Sequence, residues 1–290
     1  GKKVFLLEPF FPWYLPDVSL AGGEPILIKL RPPSFSLIPF ESEIRQAFQQ
    51  RPRVVVVNTP HNPTGHVLSA AELELIAELC RKHDTIAVSD EAYESQTFGG
   101  TPHLRLVDLP GMAERTLTLG TSSKLLSLTG WRVGWLTGPA DLVAAVRTMH
   151  SYASFCPPTP LQVGVAEALV ELADGTEGRA ENERIAQLME GNAILLADAL
   201  VRIKGVTAYP PQGGYFLVAD ISGTGMDDMA FCRWLIEEKS INAVPMSLFY
   251  APRAGRDAPC TEVRFAICKE RATIEQAVAQ LEGGAPPAGA

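Results

Sequence analysis

The sequence predicts an α/β fold, with a large domain on a mostly parallel sheet at residues 1–170 and a smaller α+β domain at 171–290. Three observations lead there. Arg53-Val-Val-Val-Val-Asn58 is a β-branched run of the kind buried on both faces of a parallel sheet. Strand-like and helix-like segments alternate up to about residue 140, as in successive βαβ units. Beyond that point long helices are separated by short strand segments.

The first strand is expected at 3–8, running into the proline- and aromatic-rich loop Pro9–Pro16, and the second at 25–30. A helix at about 41–50 precedes the strand at 53–58. Ser69-Ala-Ala-Glu72 matches a helix capping box, and Leu73, Ile76, Ala77, Leu79 and Cys80 then form an apolar stripe. Residues 85–89 form a strand ending in Asp90, with further strands at 115–120 and 133–137 and helices near 139–152 and 160–173. In the C-terminal part a long helix at about 180–203 leads to strands near 206–209 and 215–219. A helix at 226–239, short strands at 241–244 and 262–267, and a helix at 270–282 complete the pattern. The Gly/Pro/Ala-rich tail 283–290 is expected to fray.

Bulk properties exclude several classes. The balance of 25 basic against 33 acidic residues, net −8, argues against a nucleic-acid partner. No apolar run approaches the roughly 18 residues of a membrane span, so no membrane partner is expected. The apolar stretch after Lys2 and Lys3 stops at Glu8 and Pro9, too early for a signal peptide. Five cysteines, odd in number and without metal-type spacing, point to free thiols in the reducing cytoplasm and to no metal site. The chain has no initiator methionine and opens directly on a strand-like segment, which suggests a piece of a longer protein.

In a doubly wound sheet, ligands collect at the carboxyl ends of the strands. Asn58 and Asn62, Asp90 with Tyr93, and Lys124 all follow such ends. In the segment 116–135 an apolar strand ends in small hydroxyl residues, presents one lysine and then reaches Arg132. Lys124 is therefore a candidate covalent anchor for an aldehyde cofactor, and Arg132 a candidate clamp for its phosphate. Pyridoxal phosphate chemistry needs that lysine and a carboxylate that keeps the pyridine nitrogen protonated. It also needs donors to the phenolate oxygen, an aromatic face, and cations or helix-end amides for the phosphate. Each residue also has a plainer reading: Asp90 as a helix cap, Tyr93 as core, Asn62 in a turn, Arg132 and Arg264 in structural ion pairs. His61 and His66 are loop histidines without further ligands and are assigned no role.

The motifs Asn58-Thr-Pro-His-Asn-Pro-Thr-Gly65, Ser89-Asp-Glu-Ala-Tyr93, Thr121-Ser-Ser-Lys124 and Thr129-Gly-Trp-Arg-Val-Gly134 stand in the order and spacing of the fold type I aminotransferases. Over essentially the whole chain the sequence resembles that superfamily, whose fold is aspartate aminotransferase-like. The resemblance implies pyridoxal phosphate as cofactor, bonded to Lys124, with Asp90 on the pyridinium nitrogen. It implies Asn62 and Tyr93 on the phenolate oxygen, Thr121 and Arg132 on the phosphate, and Phe11 stacked on the ring, with Phe10 or Tyr14 as alternatives. Glu8-Pro-Phe-Phe11 with Tyr14, Ala21-Gly-Gly23, Val244-Pro-Met-Ser-Leu-Phe-Tyr250 and Glu262-Val-Arg-Phe265 resemble the kynurenine aminotransferase, cysteine-conjugate β-lyase and methionine aminotransferase branch. There Arg264 is implied to clamp the substrate α-carboxylate beside Asn62. Pro12-Trp13 stands where that branch usually has an acidic residue.

The implied reaction moves an amino group from an aromatic or sulfur-containing amino acid to a 2-oxo acid, in a homodimer. A cysteine-conjugate β-lyase, an inactive fragment and a cofactor-binding regulatory domain are the alternatives. The family extends further at its N-terminus, where it carries a phosphate-cupping turn and a tyrosine for the neighbouring subunit. A chain starting at Gly1 is therefore expected to bind cofactor weakly.

Overall fold

The computed structural model describes residues 1–252 and 259–282, so the tail 283–290 lies outside the described residues. β1 (Lys3–Glu8) leads through α1 (Tyr14–Leu20) to β2 (Glu24–Lys29), followed by α2 (Glu41–Phe48), β3 (Val54–Asn58), α3 (Ala70–His83) and β4 (Ile86–Asp90). β5 (Thr116–Thr121) is joined by the single turn α4 (Ser122–Leu125) to β6 (Gly134–Thr137). α5 (Ala140–Ala153), α6 (Thr159–Asp174) and α7 (Thr176–Leu200) then lead to β7 (Thr207–Tyr209) and β8 (Phe216–Asp220). α8 (Asp228–Lys239), β9 (Val244–Pro245), β10 (Glu262–Ala266) and α9 (Arg271–Leu281) close the chain.

The first sheet has the order β2-β1-β3-β4-β5-β6, and all its pairs are parallel except β5 with β6. In β3, Val55 and Val57 are fully buried against α2 and α3, while Val54 and Val56 on the other face are half-buried. The second sheet, β7-β8-β10-β9, is antiparallel throughout. The capping box at the start of α3 is complete, with the Ser69 side chain on the Glu72 N–H and the Glu72 carboxylate on the Ser69 N–H.

Three local readings differ from the sequence expectation. The loop Pro9–Pro16 contains the start of α1; its Pro16 lies in the first turn, where no N–H is needed. The strand expected at 241–244 shrinks to Val244–Pro245. β6 turns straight back along β5, with Thr121 opposite Gly134, so the sheet has one antiparallel edge.

Phe5, Leu7, Val55, Val57 and Ala87 of the first sheet pack with Phe48 of α2 and Leu73, Ile76 and Leu79 of α3. Leu217, Ala219, Val263 and Phe265 of the second pack with Leu200 of α7 and with Phe231 and Leu235 of α8. Each of the Val, Leu, Ile and Phe side chains among these contributes about 1.5–3 kcal/mol by its burial. The two cores interlock: Tyr93 and Phe98 belong to the second cluster, while Met246 and Phe249 belong to the first. Among the described residues no helix is long and apolar enough to cross a membrane.

Candidate active site

Register places the polar residues at one end of the first sheet. Asn58 lies opposite Asp90, and Asp90 opposite Leu119 on β5, whose next turn carries Lys124. The Asn58 amide donates to the Asp90 carbonyl at 2.9 Å, and its Oδ1 accepts the Asn62 N–H at 2.8 Å. Asn58 thereby ties the 58–65 loop to β4 and fixes where Asn62 points. Gly65 closes that loop at φ +71°, and a β-carbon there would lie 2.3 Å from Pro211. Only glycine fits.

Asp90 ends β4 in a half-buried position, with the Tyr14 hydroxyl on Oδ2 and the Ala92 N–H on Oδ1 at 3.2 Å. Burial pushes its carboxyl up, while the Tyr14 and Ala92 hydrogen bonds hold it down. Its neighbour Glu91 is fully enclosed but satisfied by the Ser89 hydroxyl, His103 and Arg105. Phe11 is half-buried with its ring edge-on to Tyr14, centroids 5.7 Å apart, which sets it beside the Asp90 partner. Phe10 is buried in the core, with its backbone N–H on the Phe249 carbonyl.

Lys124 sits in α4, a turn held at every corner. Thr121 Oγ1 caps it by accepting the Ser123 N–H at 3.2 Å, and the Ser122 hydroxyl donates to the Val133 carbonyl at 2.7 Å. The Thr129 hydroxyl donates to the Ser123 carbonyl at 2.9 Å, and the Tyr215 hydroxyl to the Lys124 carbonyl at 3.2 Å. Lys124 Nζ faces the rings of Tyr215 and Tyr93 at 5.2 and 5.9 Å from their centroids. Burial lowers its proton affinity; the charges of Arg132 and Arg264 lower it further, against an opposing effect of Cys268. Burial raises the Tyr93 phenol, and the Asp90 charge adds to that. Arg132 follows in the left-handed region at φ +56°, exposed, its guanidinium donating to the Thr129 carbonyl at 3.3 Å.

From the second sheet, Arg264 Nη1 donates to Asn62 Oδ1 at 2.8 Å. Its guanidinium carbon lies 3.8 Å from the Phe216 ring centroid and 4.6 Å from that of Phe249, and burial lowers its pKa to about 10. Its Nε is buried without a hydrogen-bond partner among the described residues.

The eight residues singled out from sequence thus divide. Asn62, Asp90, Tyr93, Lys124 and Arg264 converge by contact or charge. Thr121 caps the lysine's turn, Arg132 flanks it, and Phe11 meets Tyr14, the partner of Asp90. Tyr14 as partner of Asp90, Tyr215 beneath Lys124, and the ring faces of Phe216 and Phe249 on Arg264 went unassigned. Their partners are remote in sequence, and no local pattern marks them.

The sequence profile of the family described as Aminotransferase class I and II matches residues 1–281. Kynurenine–oxoglutarate transaminase 1 of Mus musculus is 35% identical over 300 residues, covering 95% of this chain and 70% of that relative. The solved structure of N-succinyldiaminopimelate aminotransferase from Mycobacterium tuberculosis superposes with TM-score 0.88 at 37% identity, covering 97% of this chain and 71% of that one. YbdL from Escherichia coli, with a methionine aminotransferase function, superposes with TM-score 0.86 at 29% identity, covering 97% and 71%. Aspartate aminotransferase from Thermus thermophilus shares the fold.

The residues present fit pyridoxal phosphate. An amine of lowered proton affinity, a strand-end carboxylate and an orphaned guanidinium N–H are an aldehyde-binding, cation-binding and anion-binding set. The chain belongs to the aminotransferase class I and II family, as an aspartate aminotransferase-like enzyme whose cofactor is pyridoxal phosphate.

Proposed function

We propose that Lys124 anchors the cofactor covalently and that the enzyme exchanges aromatic or sulfur-containing amino acids with 2-oxo acids. Pyridoxal phosphate, when bound, supplies an aldehyde carbon and an electron-accepting ring. Asp90 would hold the pyridine nitrogen, Asn62 and Tyr93 the phenolate oxygen, Thr121 and Arg132 the phosphate, and Phe11 would stack on the ring. Arg264 would take the substrate α-carboxylate in a two-pronged hydrogen bond, using the Nε that has no partner among the described residues. With the cofactor bound, Lys124 would carry the proton at the substrate α-carbon, a role its lowered proton affinity suits.

The observation that carries this reading is the meeting of Lys124, Tyr93, Asp90 and Asn62 at one sheet end with Arg264 bonded to Asn62 from the other sheet. The named activities of relatives on kynurenine and methionine support the substrate class. The segregation of the two sheets supports a cofactor-binding domain at 1–170 and a smaller domain at 171–290. Five free thiols agree with a cytoplasmic enzyme, and exposed Met149, Tyr152 and Phe155 with a homodimer.

The test is borohydride reduction of the chain with pyridoxal phosphate, followed by peptide mapping. Label is expected on Lys124; label on another lysine refutes the assignment. Turnover of a panel containing kynurenine, phenylalanine, methionine, aspartate and N-succinyldiaminopimelate then tests the substrate class. Preference for either of the last two overturns it.

A further inference from the structure

We infer that Tyr215, just before β8, is a positioning residue for Lys124, its hydroxyl holding the lysine's backbone and its ring face supporting the lysine's ammonium. This deepens the proposal that Lys124 anchors the cofactor, and rests on it.

Two contacts from one side chain reach the two ends of Lys124. The hydroxyl donates to the Lys124 carbonyl at 3.2 Å, and Nζ stands 5.2 Å from the ring centroid. α4 has four residues, so its carbonyls lack the partners a longer helix would give them. The Tyr215 hydroxyl supplies one. Its ring is 7% exposed and edge-on to Tyr93, centroids 5.1 Å apart, which holds it in one orientation.

The backbone around Tyr215 is fixed too. The Gln212 and Gly213 N–H groups donate to the Gly65 carbonyl at 2.9 and 3.0 Å. The Gly214 N–H donates to the Gln96 carbonyl at 2.8 Å, and the Tyr215 carbonyl accepts the Ile267 N–H at 2.9 Å. Gly214, at φ +77°, makes the bend that turns Tyr215 toward α4. A residue carried by the second sheet thus sets the place of a lysine carried by the first.

The groups facing Nζ are the rings of Tyr93 and Tyr215, the charges of Arg132 and Arg264, and Cys268. Burial and the two arginines favour the neutral amine, while an aromatic face favours the ammonium. The ring and hydroxyl of Tyr215 therefore act separately, and two variants separate them.

The experiment uses the full chain and Tyr215→Phe and Tyr215→Leu. Competitive acetylation across pH without cofactor, read peptide by peptide, gives the titration midpoint of Lys124. Borohydride trapping with pyridoxal phosphate gives its capture rate, and thermal melting monitors the fold. The Phe variant keeps the ring, so its midpoint is expected to stay while capture slows about threefold to tenfold, the worth of one hydrogen bond. The Leu variant also lowers the midpoint, because the ammonium loses its aromatic face. Parent-like midpoint and capture in both variants, or lowered melting alone, overturns the inference. If the Leu variant does not fold, the Phe variant decides by its capture rate. Failure of the parent to label at Lys124 refutes the cofactor assignment, and acetylation still reads Tyr215 separately.

Discussion

Substituting Glu72 by Gln tests whether one carboxylate braces the loop that carries Asn62. Glu72 is 1% exposed, and its Oε1 accepts from the Ser36 hydroxyl and the Leu37 N–H, both at 2.8 Å, and meets His66 Nε2 at 2.9 Å. Its Oε2 accepts from the Ser69 N–H at 2.8 Å and the Ser69 hydroxyl at 2.7 Å. The Gln amide turns one oxygen into a donor facing donors, whichever way it is flipped. Leaving buried donors unmatched costs about 1–3 kcal/mol each, so E72Q should lose about 3 kcal/mol. For a domain of this size that is a drop of roughly 6–10 °C in Tm.

The pH dependence supplies a second signature. Burial pushes the Glu72 carboxyl up, but the His66 contact and the Ser69 and Leu37 N–H groups outweigh it and bring the pKa from 4.5 down to about 2. The folded state therefore releases this proton more readily than the unfolded chain. Its stabilisation is complete above about pH 4.5 and is lost as pH falls toward 2, about 3 kcal/mol in all. Urea unfolding of parent and variant between pH 7 and 3 measures both effects. Agreement within 0.5 kcal/mol at pH 7 (about the scatter of a surface substitution) or an equal acid slope refutes the brace.

Arg264→Lys removes the planar guanidinium from between Phe216 and Phe249 and the bond to Asn62, and should cost about 3 kcal/mol, roughly a hundredfold in kcat/KM. Steady-state kinetics check it, and a change below threefold sinks the carboxylate role. Tyr14→Phe removes a bond that holds the Asp90 carboxyl down, so that carboxyl should stay protonated to higher pH. The acid limb of the kcat/KM profile should shift upward, with a loss of about threefold at neutral pH. An unmoved acid limb speaks against it.

Much of this molecule is legible in the chain because it depends on local rules. The run at 53–58 reads as a buried strand, Ser69 and Glu72 as a capping box, and Lys124 as a lysine after a strand end, and each is found there. What escapes depends on contacts between distant segments. Glu72 is legible as a cap, but not as the partner of Ser36 and His66. His66 bonds Gln212 across 146 positions, and Tyr215 bonds Lys124 across 91. α1 hides behind Pro12 and Pro16, and α4 is too short to show a period. β6 looks like any other strand; its reversed direction is a property of the connection.

That reversal makes length a constraint on residues 122–133, beside the side chains that hold α4. Both ends of the stretch are held together at one neck, where Thr121 pairs with Gly134 and Ser122 bonds Val133, and one rung further on the Trp135 indole crosses Gly120. A β-carbon on Gly120 would lie 2.2 Å from that indole's Nε1, so the indole lies over Gly120 because no side chain stands there. Deleting one residue between these anchors either breaks the pairing or slides β6 by one position, sending Trp135 to the opposite face of the sheet. A substitution in this stretch changes one side chain, whereas an insertion or deletion displaces Arg132 and Trp135 together.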